Sequence, residues 1–260
     1  MGFPAETPEA AARRIFGKRA ARYTTSSTHT DPAVLSRVAI LTGAARDSRV
    51  LDVGTGTGHT AFAVAETGAA VTALDLTPQM LLEGRKLRNE KGGGIVTFLI
   101  GDAHALPFPD RCFHAVTCRR TAHHFSVIDR ALREMRRVLM PGGKLVIDDR
   151  SVPEDDFVDH IMNKLDKYHD ESHIRQYRPS EWQVMLATSG FEIETAQTYT
   201  QHRPLSSHVD GVEARSVEKI LEIIAGLTDT DRKKLNLIQE KDETRYNHWY
   251  ITLSATWKQN

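Results

Sequence analysis

The sequence predicts a doubly wound α/β fold, a seven-stranded and mostly parallel sheet with helices on both faces. Three observations predict it. Between residues 49 and 150 short apolar runs alternate with helical segments, which is the pattern of a parallel sheet covered on both sides. The first run ends in "DVGTGTGH", with Gly54, Gly56 and Gly58 on alternate positions, and the second ends on a carboxylate, Asp75. Sheets of this kind bind ligands beyond the carboxyl ends of their strands, at the switch point beside strand one. The glycine loop and Asp75 both fall there.

The elements follow in order. The N-terminal forty residues read as helical; in "DPAVLSRVAILTGA" Asp31 suits an N-cap and Pro32 the first helical position. "RVLDVG" is the first strand, and "HTAFAVAET" is a helix that Gly68 stops. "AVTALD" is the second strand. "TPQMLLEGRKLRNEK" opens with Thr77 as cap and Pro78 in the first turn, and Gly92 to Gly94 end it. "IVTFLIGD" and "CFHAVTC" are the third and fourth strands. "SVIDRALREMRRVLM" carries Ile128, Leu132, Met135 and Leu139 on one face, with Ser126 as cap and Pro141 to Gly143 as stop. "KLVIDD" is the fifth strand. Further on, "DDFVDHIMNKLDKYHD" is a helix, and "PSEWQVMLATSG" is another with Ser180 as cap and Gly190 as stop. "FEIETAQTYT" and "HWYITLSATWK" alternate and read as the last two strands. Between them, residues 205–245 read as an insertion of about two helices, "SSHVDGVEARSVEKILEIIAGL" and "DTDRKKLNLIQEK".

Composition narrows the function classes. The chain has 260 residues, 40% hydrophobic and 26% charged, enough for one large domain with appendages. Lys+Arg and Asp+Glu are both 34, so no general attraction to nucleic acid or anionic membrane is expected. No apolar run reaches the length of a membrane span. The first residues lack the apolar core of a secretory signal, and Gly2 is followed by Glu6 where a myristoylation motif needs Ser or Thr. Cys112 and Cys118 sit six residues apart on a strand, roughly 20 Å between their Cα atoms, too far to bridge. They read as free thiols of a cytoplasmic protein.

Glycines alone do not choose a cofactor. A dinucleotide fingerprint is G-x-G-x-x-G, whereas here the third glycine comes one residue early and His59 follows. Asp75, at the end of strand two, can accept hydrogen bonds from both ribose hydroxyls of an adenosine. S-adenosylmethionine and a dinucleotide both carry that group. "VLDVGTGTGHTA", "VTALDLTPQML", "GDAHALPFPDRCFHAVTC" and "REMRRVLMPGGKLVIDD", in this order over residues 49–150, resemble the class I S-adenosylmethionine-dependent methyltransferases. The nearest group is the ubiquinone/menaquinone-biosynthesis and related small-molecule enzymes. The resemblance implies a Rossmann-like core at 46–204 and 246–260, an N-terminal helical lid at 1–45, and S-adenosylmethionine as cofactor.

It also implies roles. Asp52, Gly54, Gly56 and Gly58 match the loop around the methionine part of the cofactor. Asp75 matches the ribose acceptor, Leu76 and Met80 the wall beside the adenine, and Asp102 with Ala103 the loop that meets the adenine amine. Arg119 sits where relatives place residues near the methionine end and the substrate. "IFGKRAARYTTSSTH", with Tyr23 and Thr28, is similar to the segment that closes over the cofactor. Structural roles stand beside these: Leu76 and Met80 suit a core, and Arg119 with Arg120 a solvated pair. Asp52 inside an apolar strand needs partners whatever its function.

His123 and His124 follow strand four, where the resemblance implies a histidine-bearing loop on the substrate side. A histidine there can take a proton from an acceptor, alongside proximity and desolvation; packing or capping is the alternative, and Arg119 is a third catalytic candidate. His169 and His173 lie four apart on an expected helix, but no third ligand is evident and no metal is expected. The insertion carries Val209, Val212, Val217, Ile220, Leu221, Ile223, Ile224 and Leu227. That apolar surface must be covered, as a roof over a small-molecule acceptor with hydrophobic bulk or as a homodimer interface. Three functions are therefore carried forward: methyl transfer to a small molecule, NAD(P)-dependent oxidoreduction on the same sheet, and cofactor binding without catalysis.

Overall fold

Five apolar runs lie side by side as parallel strands: β1 (Arg49–Val53), β2 (Ala70–Asp75), β3 (Ile95–Ile100), β4 (Phe113–Arg119) and β5 (Leu139–Ser151). β6 (Glu192–Pro204), the two-residue β7 (Ile238–Gln239) and β8 (Thr244–Thr256) complete one sheet of order β3-β2-β1-β4-β5-β8-β6, with β7 paired to β8. β8 is antiparallel to both neighbours. The seven expected strands are all present and β7 is an eighth. The computed structural model describes residues 6–92 and 94–258. Residues 1–5, with Gly2, together with Gly93 and residues 259–260, lie outside the described residues.

The helices are α1 (Pro8–Tyr23), α2 (Pro32–Leu41), α3 (His59–Ala65), α4 (Pro78–Lys91), α5 (Ile128–Val138), α6 (Asp156–His169), α7 (Pro179–Thr188), α8 (Ser206–Val209), α9 (Ala214–Ala225) and α10 (Asp229–Lys234), with a 3-10 turn at Ala122–His124. Both faces of the sheet are buried, as alternation along β1 shows. Val50 packs with α3 and α4 side chains, while Leu51 and Val53 join a second core with Leu132 and Met135 of α5 and Trp182 of α7. Each such side chain contributes roughly 1.5–3 kcal/mol by leaving water.

Some local expectations are corrected. Asp31 caps α2 through Ala33 N and Val34 N, as expected. Thr77 precedes α4 but its hydroxyl caps nothing; the Thr77 amide donates to Asp75 instead. Ser126 does not cap α5; its hydroxyl donates to Glu9 of α1. Ser180 lies inside α7, and the Arg178 amide donates to Glu181 at 2.8 Å. α6 ends at His169, so His173 lies beyond the helix. His169 donates to the His208 carbonyl and His173 meets Asn163. Among the described residues no group of three or more His, Cys, Asp or Glu could hold a metal. No described helix is long and apolar enough to cross a membrane. Cys112 and Cys118 are free thiols.

The insertion differs most from expectation. Its first helix breaks at Gly211, whose φ of 71° is left-handed, giving α8 and α9. α10 stops at Lys234, and β7 takes up what the periodicity read as more helix. Ile220, Ile224 and Leu235 pack with Val158, Ile161, Met162 and Leu165 of α6 and Tyr246 of β8. Most of the apolar face is thus covered within the chain, while Leu221 and Ile238 stay exposed.

Candidate functional site

The carboxyl ends of β1 to β4 converge on one cavity with about 930 Å³ of empty volume, counting space open to solvent. Gly54, Gly56, Asp75, Leu76, Met80, Asp102, Ala103 and Arg119 all line it. The loop after β1 is held by side chains from two strands. Register places Asp52 level with Thr117 of β4, and its two oxygens accept from Thr117 Oγ1 at 2.7 Å and Thr55 Oγ1 at 2.6 Å. Burial pushes the Asp52 carboxyl up to about 6 against those two bonds. Asp52 therefore braces the loop from beneath and does not line the cavity.

Asp75 closes the loop from the other side. Its Oδ2 accepts from Gly56 N and its Oδ1 from Thr77 N, both at 2.8 Å. Burial raises its pKa, and the two amides oppose that shift. Asp75 also lines the cavity, beside Leu76 and Thr77. Gly54 must be glycine because Thr121 approaches it: a Cβ there would come within 2.4 Å of Thr121 Cγ2. Gly58 is not a cavity residue. Its missing Cβ would meet Phe98 and Phe62 at 3.1 and 3.2 Å, so it packs the loop against β3 and α3.

On the far wall, Asp102 Oδ1 accepts from His104 N at 2.8 Å and meets His104 Nδ1 at 2.7 Å. Met80 is buried at 3% exposure yet lines the cavity, so core and wall are one role there. Arg119 is not a solvated residue. It is 8% exposed; Nε donates to Thr60 Oγ1 and Nη2 to the His29 carbonyl, both at 2.8 Å. Nη1 has no partner, and no ion pair forms at this guanidinium among the described residues. Burial lowers its pKa, and Arg120 beside it acts in the same direction. A buried cation with an orphan donor is costly, and this one stands on the cavity wall.

The segment after α1 crosses the cavity. His59 Nε2 donates to the Tyr23 carbonyl at 3.1 Å, and Tyr23 and His29 stack edge to face. Tyr23 lines the cavity, as do Glu9 and Phe16 of α1; Thr28 instead lines a second cavity. The two cavities share Phe16, Tyr23, His29, Arg120 and His124 as a wall. His123 faces the second. Its Nδ1 lies 2.5 Å from Asp149 Oδ1, and its amide donates to Asp149 Oδ2 at 3.1 Å. Burial would raise Asp149, but His123 and the hydrogen bond hold it below its ordinary value. An ionised Asp149 only accepts, so Nδ1, the ring nitrogen that faces it, carries a proton. His124 is different: burial brings it down to about 4, and Nδ1 meets Ser172 Oγ.

Sequence reasoning missed Phe16, Thr60, His104, Arg120, Phe125 and Asp149. Only Arg120 carried a local signal, as a charge at a strand's carboxyl end; the others reach the site through tertiary contacts.

Known proteins place this geometry. A family model described as a methyltransferase domain matches residues 51–147. The chain is 39% identical over 153 residues to the uncharacterized methyltransferase YcgJ of Bacillus subtilis, covering 59% of this chain and 60% of that protein. It is 42% identical over 111 residues to the demethylmenaquinone methyltransferase of Renibacterium salmoninarum, covering 43% of this chain and 45% of that one. The chain thus spans about half to three-fifths of the length of these two curated relatives. A solved structure from Bacillus halodurans, provisionally named a methyltransferase, superposes with a TM-score of 0.82 at 31% identity, covering 87% of this chain and 100% of that one. With the methyltransferase domain matched and a solved structure of that kind covered over its whole length at 31% identity, the chain belongs to the class I S-adenosylmethionine-dependent methyltransferase family.

Proposed function

We propose that the protein moves a methyl group from S-adenosylmethionine to a small molecule held in the second cavity. The observation that supports this reading is the shared wall: the cavity at the strand ends abuts a polar cavity in which Asp149 fixes the His123 ring. The residues present fit the cofactor. Asp75 would hold the ribose hydroxyls, Leu76 and Met80 would flank the adenine, and Asp102 with the Ala103 amide would meet its edge. Arg119, through Nη1, would take the methionine carboxylate. The Gly54–Gly56 backbone lets the methionine part lie against the loop, and Asp52 keeps that loop in place. When bound, the cofactor supplies an electrophilic methyl carbon on a sulfonium. Phe16, Tyr23 and His29 exclude water from both cavities, and His123 Nε2 receives the acceptor's proton.

Calorimetry with S-adenosylhomocysteine and NADH tests the reading. The first ligand is expected to bind and the second to give no heat; the reverse would make the protein an oxidoreductase. A metabolite extract incubated with protein and methyl-labelled cofactor should then yield a labelled product. Binding with no labelled product would leave a cofactor-binding subunit without catalysis.

The α1 segment and the Tyr23–His29 turn form the proposed lid. Among the described residues the turn is tied to the loop and to Arg119 through side-chain donors to its Tyr23 and His29 carbonyls, bonds that can open locally. Amide hydrogen exchange at residues 15–30 is expected to slow on adding S-adenosylhomocysteine. Equal exchange in both states would reject the lid.

A further inference from the structure

The second cavity is chemically unlike the acceptor site expected from the insertion's apolar residues. Of the insertion only Ser207, His208 and Asp210 line it; Ile220, Ile224 and Leu235 face α6. What lines it is charge. Five arginines stand against three aspartates: Arg19, Arg22, Arg120, Arg150 and Arg203, with Asp166, Asp170 and Asp210. Arg19 lies 3.9 Å from Asp170, Arg22 3.5 Å from Asp210, and Arg150 2.9 Å from Asp166. Those three arginines account for all three carboxylates. Arg120 reaches Asp148 at 3.3 Å behind the wall, a carboxylate it shares with Arg37. Arg203 makes no ion pair among the described residues.

Alternation on the last strands puts the cavity's polar groups on one sheet face. β6 and β8 pair Tyr199 with Tyr250, Gln201 with His248, and Arg203 with Tyr246, so His248 and Tyr250 stand beside Arg203. His248 is 2% exposed, and neither ring nitrogen has a hydrogen-bond partner. Arg120 is 4% exposed at its side chain; its guanidinium lies 3.7 Å from the Tyr250 ring centroid, and Nη1 has no partner. Two nearly enclosed side chains thus present unsatisfied polar atoms to one cavity, which a folded protein tolerates where a ligand completes them. Arg120 also holds a left-handed backbone, φ 55°, a conformation that a non-glycine residue keeps only when its surroundings impose it. Here the Arg120 amide donates to the Asp148 carbonyl at 2.8 Å, which aims the side chain into the cavity.

We propose that the methyl acceptor is a small anion, carrying a carboxylate or phosphate group that Arg120, Arg203 and His248 hold while its reacting atom faces His123. The inference rests on the methyl-transfer reading for the word acceptor, but not for the anion site itself. His248, His173 and His208 do not supply the positive charge: burial takes His248 well below its ordinary value and brings His173 and His208 to about 3. The arginines do, and they act on Tyr250 as well; burial would raise its phenol, yet Arg150, Arg120 and Arg203 draw it below its ordinary value. In the transfer, the acceptor's lone pair forms the new bond to the methyl carbon. The carbon–sulfur bond breaks toward sulfur, leaving a neutral thioether, and the acceptor's proton passes to His123 Nε2.

The test is thermal denaturation and calorimetry of the protein, with and without S-adenosylhomocysteine, titrated with inorganic phosphate or with benzoate against chloride at equal ionic strength. At least one of the two anions should raise the melting temperature beyond the chloride control. Arg203→Gln, half-buried and outside the cofactor cavity, should raise that anion's apparent Kd at least tenfold while leaving S-adenosylhomocysteine affinity unchanged. A response to phosphate alone assigns a phosphorylated acceptor, and a response to benzoate alone a carboxylate. No response to either, or an Arg203→Gln protein that responds like the original, overturns the anion site. If S-adenosylhomocysteine itself does not bind, the methyl-transfer reading falls, and the same titration without it still decides the anion site.

Discussion

Asp75→Ala is expected to weaken S-adenosylhomocysteine binding by about 1.5–3 kcal/mol, the scale of hydrogen bonds to a charged group, or roughly 10- to 150-fold in Kd. The carboxylate does two things that alanine cannot. It faces the cavity at the end of β2, where an adenosine's ribose would lie, and it pins the loop through Gly56 N and Thr77 N. Losing it removes the ribose acceptor and leaves two amides to find other partners. Asp75→Asn separates the two contributions, because its single carbonyl oxygen preserves part of the acceptor set without the charge; an intermediate loss is expected. Calorimetry on folded protein reads both variants. An alanine variant that melts normally and binds as tightly as the original would remove Asp75 from the cofactor site.

Gly56→Val is expected to abolish detectable binding, a loss of 100-fold or more, while the fold survives. Gly56 has φ 57°, and a Cβ placed there meets no heavy atom within 4 Å. Gly56 lines the cavity, so a valine side chain added there is expected to take space from the ligand. The backbone strain, about 1–2 kcal/mol for a left-handed residue and more for a β-branched one, should lower the melting temperature by several degrees in a chain of this size. Gly54 cannot serve this purpose, because Thr121 occupies the space its side chain would need. Loss of the whole thermal transition in Gly56→Val would show that the glycine is needed for folding and would separate it from ligand binding.

The sequence by itself determined the order of strands and helices, the glycine loop at the switch point, and a carboxylate after strand two. These are signals carried within one segment: an apolar run, a period, or a residue at a strand end. Asp52 was legible as a residue needing partners, but not that Thr55 and Thr117 supply them, because the second comes from strand register 65 residues away. Arg119 read equally well as a solvated charge until burial and its bond to the His29 carbonyl placed it on the cavity wall. The insertion's apolar residues were visible, but which surface they cover was decided by α6. The anion site was the least legible. Arg120, Arg203 and His248 belong to three strand regions, and nothing in the spacing of any one announces the others. Their juxtaposition follows from β8 inserting between β5 and β6. Pairing across a sheet is set by the summed burial and hydrogen bonding of whole strands, so tertiary structure alone brings those side chains to one face.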